Sequence, residues 1–138
     1  MGMFLRPRHK ELGTFHCGGF FWSWLLNEGV GLVIGAGPGI EPASFIFHGD
    51  GRKKCGDPYN GGFRVTSKQA KEMSWSALAV LKIQQHKQRQ FDALDEKMKQ
   101  YIRDDNRKLF SPPVRSDWRI VLERFVEFSC NSGGFEIL

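Results

Sequence analysis

The sequence predicts a mainly α fold, a compact helical domain of about four helices with a minor short β element. Three observations carry that prediction. Trp118, Val121, Leu122, Phe125 and Phe128 recur at helical spacing and run into Asn131-Ser132-Gly133-Gly134-Phe135, the glycine stop with which an amphipathic helix ends. Ala70, Met73, Ala77, Val80 and Leu81 form a second stripe of the same period behind a capping sequence. Glycine is concentrated before about residue 65, so the first half reads as short elements joined by loops and the second as successive helices. At 138 residues the chain fits one domain, 1–138, with the aromatic, glycine-rich half (1–65) packing on the helical half (66–138).

Taken in order, Phe20-Phe21-Trp22-Ser23-Trp24-Leu25-Leu26 is a short apolar run whose period alone does not separate helix from strand; a helix from about Gly19 to Asn27, stopped by Gly29, is favoured. Ser44-Phe45-Ile46-Phe47-His48 is the expected strand, closed by Gly49-Asp50-Gly51. Asp57-Pro58-Tyr59-Asn60-Gly61-Gly62 is a turn cluster from which Phe63-Arg64-Val65 leads into a helix. Thr66 or Ser67 caps that helix, and with Thr66 as the cap Gln69 completes a capping box. A break is expected near Gln84 to Lys87. A third helix then buries Phe91, Leu94, Met98, Tyr101 and Ile102, with acids early and bases late to suit its dipole, and Ser111-Pro112-Pro113 ends it. The last helix is capped by Ser116, starts at Asp117 and reaches about Cys130; Phe135-Glu136-Ile137 then adds a short strand beside Phe63-Arg64-Val65. The three helical stripes, beginning near Ser67, Gln90 and Asp117, are expected to close on one another and on the tryptophan segment.

Composition places the chain among ordinary globular proteins: charged residues are a quarter of it, and apolar ones are frequent enough to exclude a disordered tail. The net charge of +5 is a mild bias towards phosphate-rich partners, but Lys and Arg are dispersed among Asp and Glu. Cys17, Cys55 and Cys130 are odd in number and irregular in spacing, so reduced thiols in a cytoplasmic setting are expected; Cys130 reads as a small core residue. Asn27-Glu28 interrupts the one apolar run near the N-terminus, which excludes a span there, and no targeting signal or membrane partner is read.

Two motifs suggest chemistry and fail on context. Leu32-Val33-Ile34-Gly35-Ala36-Gly37-Pro38-Gly39 looks like a dinucleotide fingerprint, but Ile40 stands where the third glycine belongs and Glu41-Pro42 where a helix should run. A glycine-rich loop is the better reading, and no cofactor is assigned. His16, Cys17, His48 and Cys55 are zinc-type residues without a paired knuckle spacing, so no metal is assigned. No nucleophile elbow or phosphate loop is present, and no catalytic residue is assigned. What remains is a set of binding candidates: Trp22 and Trp24, whose rings suit a partner or a stacked ligand; the basic run Arg52-Lys53-Lys54; and Tyr59 and Asn60 in the second turn. Residues two apart face different ways on a helix, so at least one of the two tryptophans is expected in the core.

The Trp-rich segment Phe21-Trp22-Ser23-Trp24-Leu25, the turn Tyr59-Asn60-Gly61-Gly62 before a helix, and the close Ser132-Gly133-Gly134-Phe135-Glu136-Ile137 resemble a group of small uncharacterised bacterial and phage proteins. These share an aromatic N-terminal motif, a Tyr-Asn-x-Gly turn and a Ser-Gly-Gly-Phe-Glu-Ile ending. Leu25-Leu26 stand where that pattern carries Arg-Pro, and the stretch from Gly29 to Pro42 is particular to this chain. The resemblance implies a fold and a bacterial or phage origin, and no mechanism. The expected function is a small non-enzymatic protein-binding module of inhibitor or immunity type, using an aromatic and basic surface on another protein. The alternative is a small-ligand or nucleic-acid binder using the Trp-rich segment and the basic loop.

Overall fold

A computed structural model describes residues 2–39, 56–105 and 111–138. The strand expected at Ser44 to His48 and the basic run Arg52-Lys53-Lys54 lie outside the described residues, as do His48 and Cys55. Among the described residues the fold is mainly α, four helices with a small antiparallel sheet. The helices are α1 (Gly19–Asn27), α2 (Ser67–Asp92), α3 (Glu96–Arg103) and α4 (Ser116–Asn131); the strands are β1 (Gly2–Pro7), β2 (Phe15–Gly18), β3 (Phe63–Val65) and β4 (Phe135–Ile137).

The sheet runs β2-β1-β4-β3 with every pair antiparallel. β4 therefore sits between the chain's first strand and β3, pairing Arg6 with Glu136 on one side and Arg64 with the same Glu136 on the other. The expected pairing of Phe135-Glu136-Ile137 with Phe63-Arg64-Val65 is found in register. β1 and β2, which no expectation named, complete the sheet. Along β1 the alternation is plain: Met3, Leu5 and Pro7 turn inward, Phe4 and Arg6 outward.

One hydrophobic cluster joins both halves of the chain. Phe125 on α4 sits at its centre, edge-on to Trp22 at 5.8 Å, Phe15 at 5.9 Å and Phe135 at 6.3 Å, so one ring ties α1, β2 and β4 together. α2 and α4 pack closely because small residues line their contact. The Ser129 hydroxyl donates to the Ala70 carbonyl and the Ser74 hydroxyl to the Val126 carbonyl at 2.6 Å. A buried hydroxyl so satisfied costs little, and it lets the two backbones approach.

α2 opens as expected. The Thr66 hydroxyl accepts from the Gln69 amide and the Gln69 side-chain oxygen accepts from the Thr66 amide, a complete capping box. The predicted stripe Ala70, Met73, Ala77, Val80 and Leu81 is buried. The predicted break near Gln84 to Lys87 is absent: α2 continues to Asp92. The polar stretch is a helix surface that ties down the approach to α4. Gln84 is buried and accepts the Val114 amide at 3.0 Å, while Arg119 donates to both Gln88 and the Val114 carbonyl.

α3 is shorter than expected, capped by Asp95 and ending at Arg103, well before Pro112, and it has no buried residue. Met98 and Tyr101 are exposed, and Phe91, on α2, lies under Lys99 and Arg103 at 5.8 and 5.5 Å. Only two of the three expected helical faces therefore close on each other. α4 starts one residue early, with Arg115 at the cap position, so Ser116 is its first residue and makes no cap bond. Cys130 is exposed, not a core residue, because it sits on the side of α4 away from Leu122, Phe125 and Ser129.

α4 hands over to β4 through two glycines at positive φ, 71° at Gly133 and 101° at Gly134. The Ser132 hydroxyl accepts the Gly134 amide, and the carbonyls of Ser132 and Gly134 accept the amides of His9 and Arg8. The expected helix stop is thus also the clasp that holds the chain's first strand.

Candidate functional site

The candidate residues Trp22, Trp24, Tyr59 and Asn60 all gather around α1, but they do different things. The segment Phe20 to Leu26 forms the expected helix, stopped as predicted ahead of Gly29, whose φ is 103°. Phe21, Trp22, Leu25 and Leu26 occupy its inner side and are buried. Trp22 is wholly enclosed, and its indole N–H donates to the Pro58 carbonyl at 2.7 Å. It is a core residue and offers no face to a partner; the expectation that one tryptophan is core is met, and its place among the binding residues is corrected.

The Asp57–Asn60 turn is organised from within. Asp57 accepts from the Tyr59 amide at 2.8 Å and from the Asn60 side chain at 2.6 Å, and its carbonyl accepts the Asn60 and Gly61 amides. Pro58 so placed presents its carbonyl to Trp22. The Tyr59 hydroxyl donates to Asn27 at 2.6 Å, at the far end of α1. Burial, and then the nearby Asp57 carboxylate, push the Tyr59 hydroxyl above its ordinary range, which keeps it a donor. Asn60 is exposed but spends its side-chain amide on Asp57.

The outer side of α1 is different. Phe20, Trp24 and Asn27 follow one another at i, i+4 and i+7, hence along one face. Phe20 is 90% exposed. Trp24 is half-buried against Phe21 at 5.8 Å and against Trp118 of α4 at 5.4 Å. Arg115 lies over the Trp118 ring at 5.8 Å. The result is a row of aromatic side chains, Phe20 and Trp24 on one face of α1 and Trp118 beside Trp24, with the Arg115 guanidinium over Trp118 and the Tyr59–Asn27 pair at the far end of α1. Arg115 also meets Asp117 at 2.9 Å, but both are largely exposed, so that pair contributes little.

Of the sequence candidates, then, Trp24 lies in this row and Tyr59 at its edge through Asn27. Trp118 and Arg115 were not among them, and Phe20 entered only as a neighbour of the two tryptophans in the Trp-rich segment. The spacing of Phe20 to Trp24 was a signal for Phe20; the juxtaposition of Trp118 with Trp24 joins residues on two helices far apart in the chain and has no local signal.

The rejected motifs have structural accounts. Val30–Ile34 is a 3-10 turn, not the strand that delivers a phosphate-binding glycine loop. His16 stacks flat on Phe4, centroids 4.4 Å apart, on the outward side of the sheet, whereas Cys17 faces inward and is buried, so the two adjacent residues point opposite ways. Burial pushes the Cys17 thiol up to about 12, which makes it inert as a nucleophile at neutral pH. Among the described residues no three His, Cys, Asp or Glu side chains are grouped to hold a metal ion, and no helix is long and apolar enough to cross a membrane.

Compared with family models, curated proteins and solved structures, the chain matches none of them.

Proposed function

We propose that the protein is a small non-enzymatic binding module that docks the Phe20–Trp24–Trp118 row and Arg115 onto another protein. The observation that carries this reading is Phe20, a phenylalanine 90% exposed at the head of an aromatic row whose other members are held in place by the core. Aromatic residues and arginine are the side chains that interfaces favour, and the packed rings of Trp24 and Trp118 lose little entropy on binding. Burying an exposed Phe side chain is worth about 1.5–3 kcal/mol, so Phe20 alone accounts for roughly a 10- to 150-fold difference in affinity. The partner surface that fits has an apolar pocket for Phe20 and a carboxylate within reach of Arg115. In a bacterial or phage setting such a module acts as an inhibitor, an immunity factor or an adaptor, by occupying its partner and not by changing it.

The test is site-specific crosslinking. A photoreactive phenylalanine at position 20 is compared with one at position 75, where Trp75 is also exposed (67%) but stands on α2. In lysate of the organism that carries the gene, position 20 yields one protein adduct that Arg115→Ala weakens, and position 75 does not. No adduct at position 20, or the same adduct at both positions, defeats the proposal.

A further inference from the structure

A second surface, separate from the aromatic row, carries more positive than negative side chains among the described residues. On the outward side of the sheet, where β1 leaves it, lies an open groove of about 530 Å³. Among the described residues Arg6, Arg8, Lys10 and Arg64 line it, and Glu136 is the one carboxylate. The sheet register explains the crowding. Arg6, Glu136 and Arg64 stand in a single cross-strand row over β1, β4 and β3, and adjacent strands are only about 4.8 Å apart. Glu136 takes Arg6 at 2.7 Å. Among the described residues Arg8, Lys10 and Arg64 make no ion pair, so three cations converge without a paired carboxylate.

The groove's other features suit one kind of ligand. Pro7, Val65 and Phe135 also border the groove, with their side chains turned towards the core. Its wall includes Thr66 and Ser67 at the start of α2. The capping box uses the Thr66 and Gln69 amides, which leaves the first-turn amides of the exposed Ser67 and Lys68 without an intrahelical acceptor. A carboxylate brings one charge and two oxygens. A phosphate monoester brings close to two charges and three oxygens, which arginine forks take in pairs. The volume is that of a site for a small organic molecule.

We infer that this groove is a binding site for a small organic phosphate of about mononucleotide size. Arg8 and Arg64 hold the phosphoryl oxygens, Arg6 is positioned by Glu136, and the carbon skeleton extends along the groove towards Thr66 and Ser67. The inference does not rest on the aromatic row, and either can fail alone.

The test is an amide-resolved NMR titration of the whole protein at low salt with phenyl phosphate, AMP, inorganic phosphate, benzoate and adenosine. Phenyl phosphate and AMP shift the amides of Arg64, Ser67, Lys68 and Gly134 in a saturable way, with sub-millimolar affinity. Inorganic phosphate acts on the same amides more weakly, because it lacks the carbon skeleton that fills the rest of the groove, and adenosine does not act. Arg8→Gln with Arg64→Gln weakens AMP at least tenfold; the charge-keeping pair Arg8→Lys with Arg64→Lys, folded if the glutamine pair is not, still loses several-fold because lysine lacks the fork. Three results overturn the inference: no saturable shift with either ester, benzoate equal to phenyl phosphate, or a ten-nucleotide single strand bound far more tightly than AMP on the same amides, which marks a nucleic-acid interface instead.

Discussion

Gly133 and Gly134 form the junction on which both the sheet and the cationic groove depend, and alanine at each is expected to cost very different amounts. At Gly133, φ is 71°, where a residue with a Cβ loses about 1 kcal/mol. An added Cβ would fall 2.7 Å from the His9 ring, but that is the end of a side chain that can swing aside. At Gly134, φ is 101° and an added Cβ would fall 2.7 Å from the Val65 carbonyl oxygen and 3.0 Å from the Ser67 nitrogen. Those are backbone atoms of β3 and of the first turn of α2, held by β4 pairing and by the capping box. Strain of about 1–3 kcal/mol at such a φ adds to the cost of pushing β3 away, giving about 3 kcal/mol in all. Unfolding entropy near 2.1 cal/mol/K per residue makes about 0.3 kcal/mol/K for a chain of this length, so each kcal/mol is worth about 3 °C. Thermal melts followed by circular dichroism should therefore drop about 3 °C for Gly133→Ala and about 10 °C for Gly134→Ala. Equal losses, or a larger loss at Gly133, would refute the packing assigned to this turn.

Trp22→Phe removes the indole donor and leaves the buried Pro58 carbonyl without its partner, besides leaving a void beside Phe125; a loss of about 2–4 kcal/mol is expected in chemical denaturation, and a loss below about 1 would deny Trp22 its core role. Cys17 makes the protein sensitive to alkali. Burial raises its thiol from 9.0 to about 12, so between these values the unfolded chain gives up a proton that the folded one keeps, and stability falls as pH rises. The slope from this group is at most about 1.4 kcal/mol per pH unit, and the difference between wild type and Cys17→Ala over pH 8–11 isolates it; identical slopes would mean that the thiol is not held in an apolar site.

The parts of the fold legible in the sequence are those set by local chemistry. Thr66 and Gln69 announce the start of α2, Gly29 the end of α1, and Gly133 the end of α4, because each rests on a few consecutive residues. The pairing of β4 with β3 was also legible, since a strand forced to turn back at Gly133-Gly134 has little choice of neighbour. β1 was not: its alternation of Met3, Leu5 and Pro7 is brief, carries Arg6, and gains its partner from residues 135–137 at the other end of the chain. The length of α2 was misread because Gln84 to Arg89 looks wet, whereas Gln84 is buried and Gln88 holds Arg119. α3 was misread for the opposite reason, an apolar stripe that the described residues leave half-buried at Phe91, Leu94 and Ile102 and exposed at Met98 and Tyr101. For the candidate site, the sequence singled out Trp24 and Tyr59 separately and gave no hint that Trp118 would lie against Trp24, a meeting that only the packing of α1 beside α4 creates. The groove cations Arg6, Arg8 and Lys10 are adjacent in sequence, but Arg64 joins them only through the sheet.

The central claim is that α1 is held with Trp22 facing inward and Phe20 and Trp24 facing out. Hydrogen exchange of the four indole N–H groups, resolved by NMR, tests it most directly. The indole of Trp22, enclosed and bonded to Pro58, should be the slowest by orders of magnitude, with Trp75 near the rate of a free indole and Trp24 closer to Trp75 than to Trp22. A Trp22 indole exchanging as fast as that of Trp75 would contradict it.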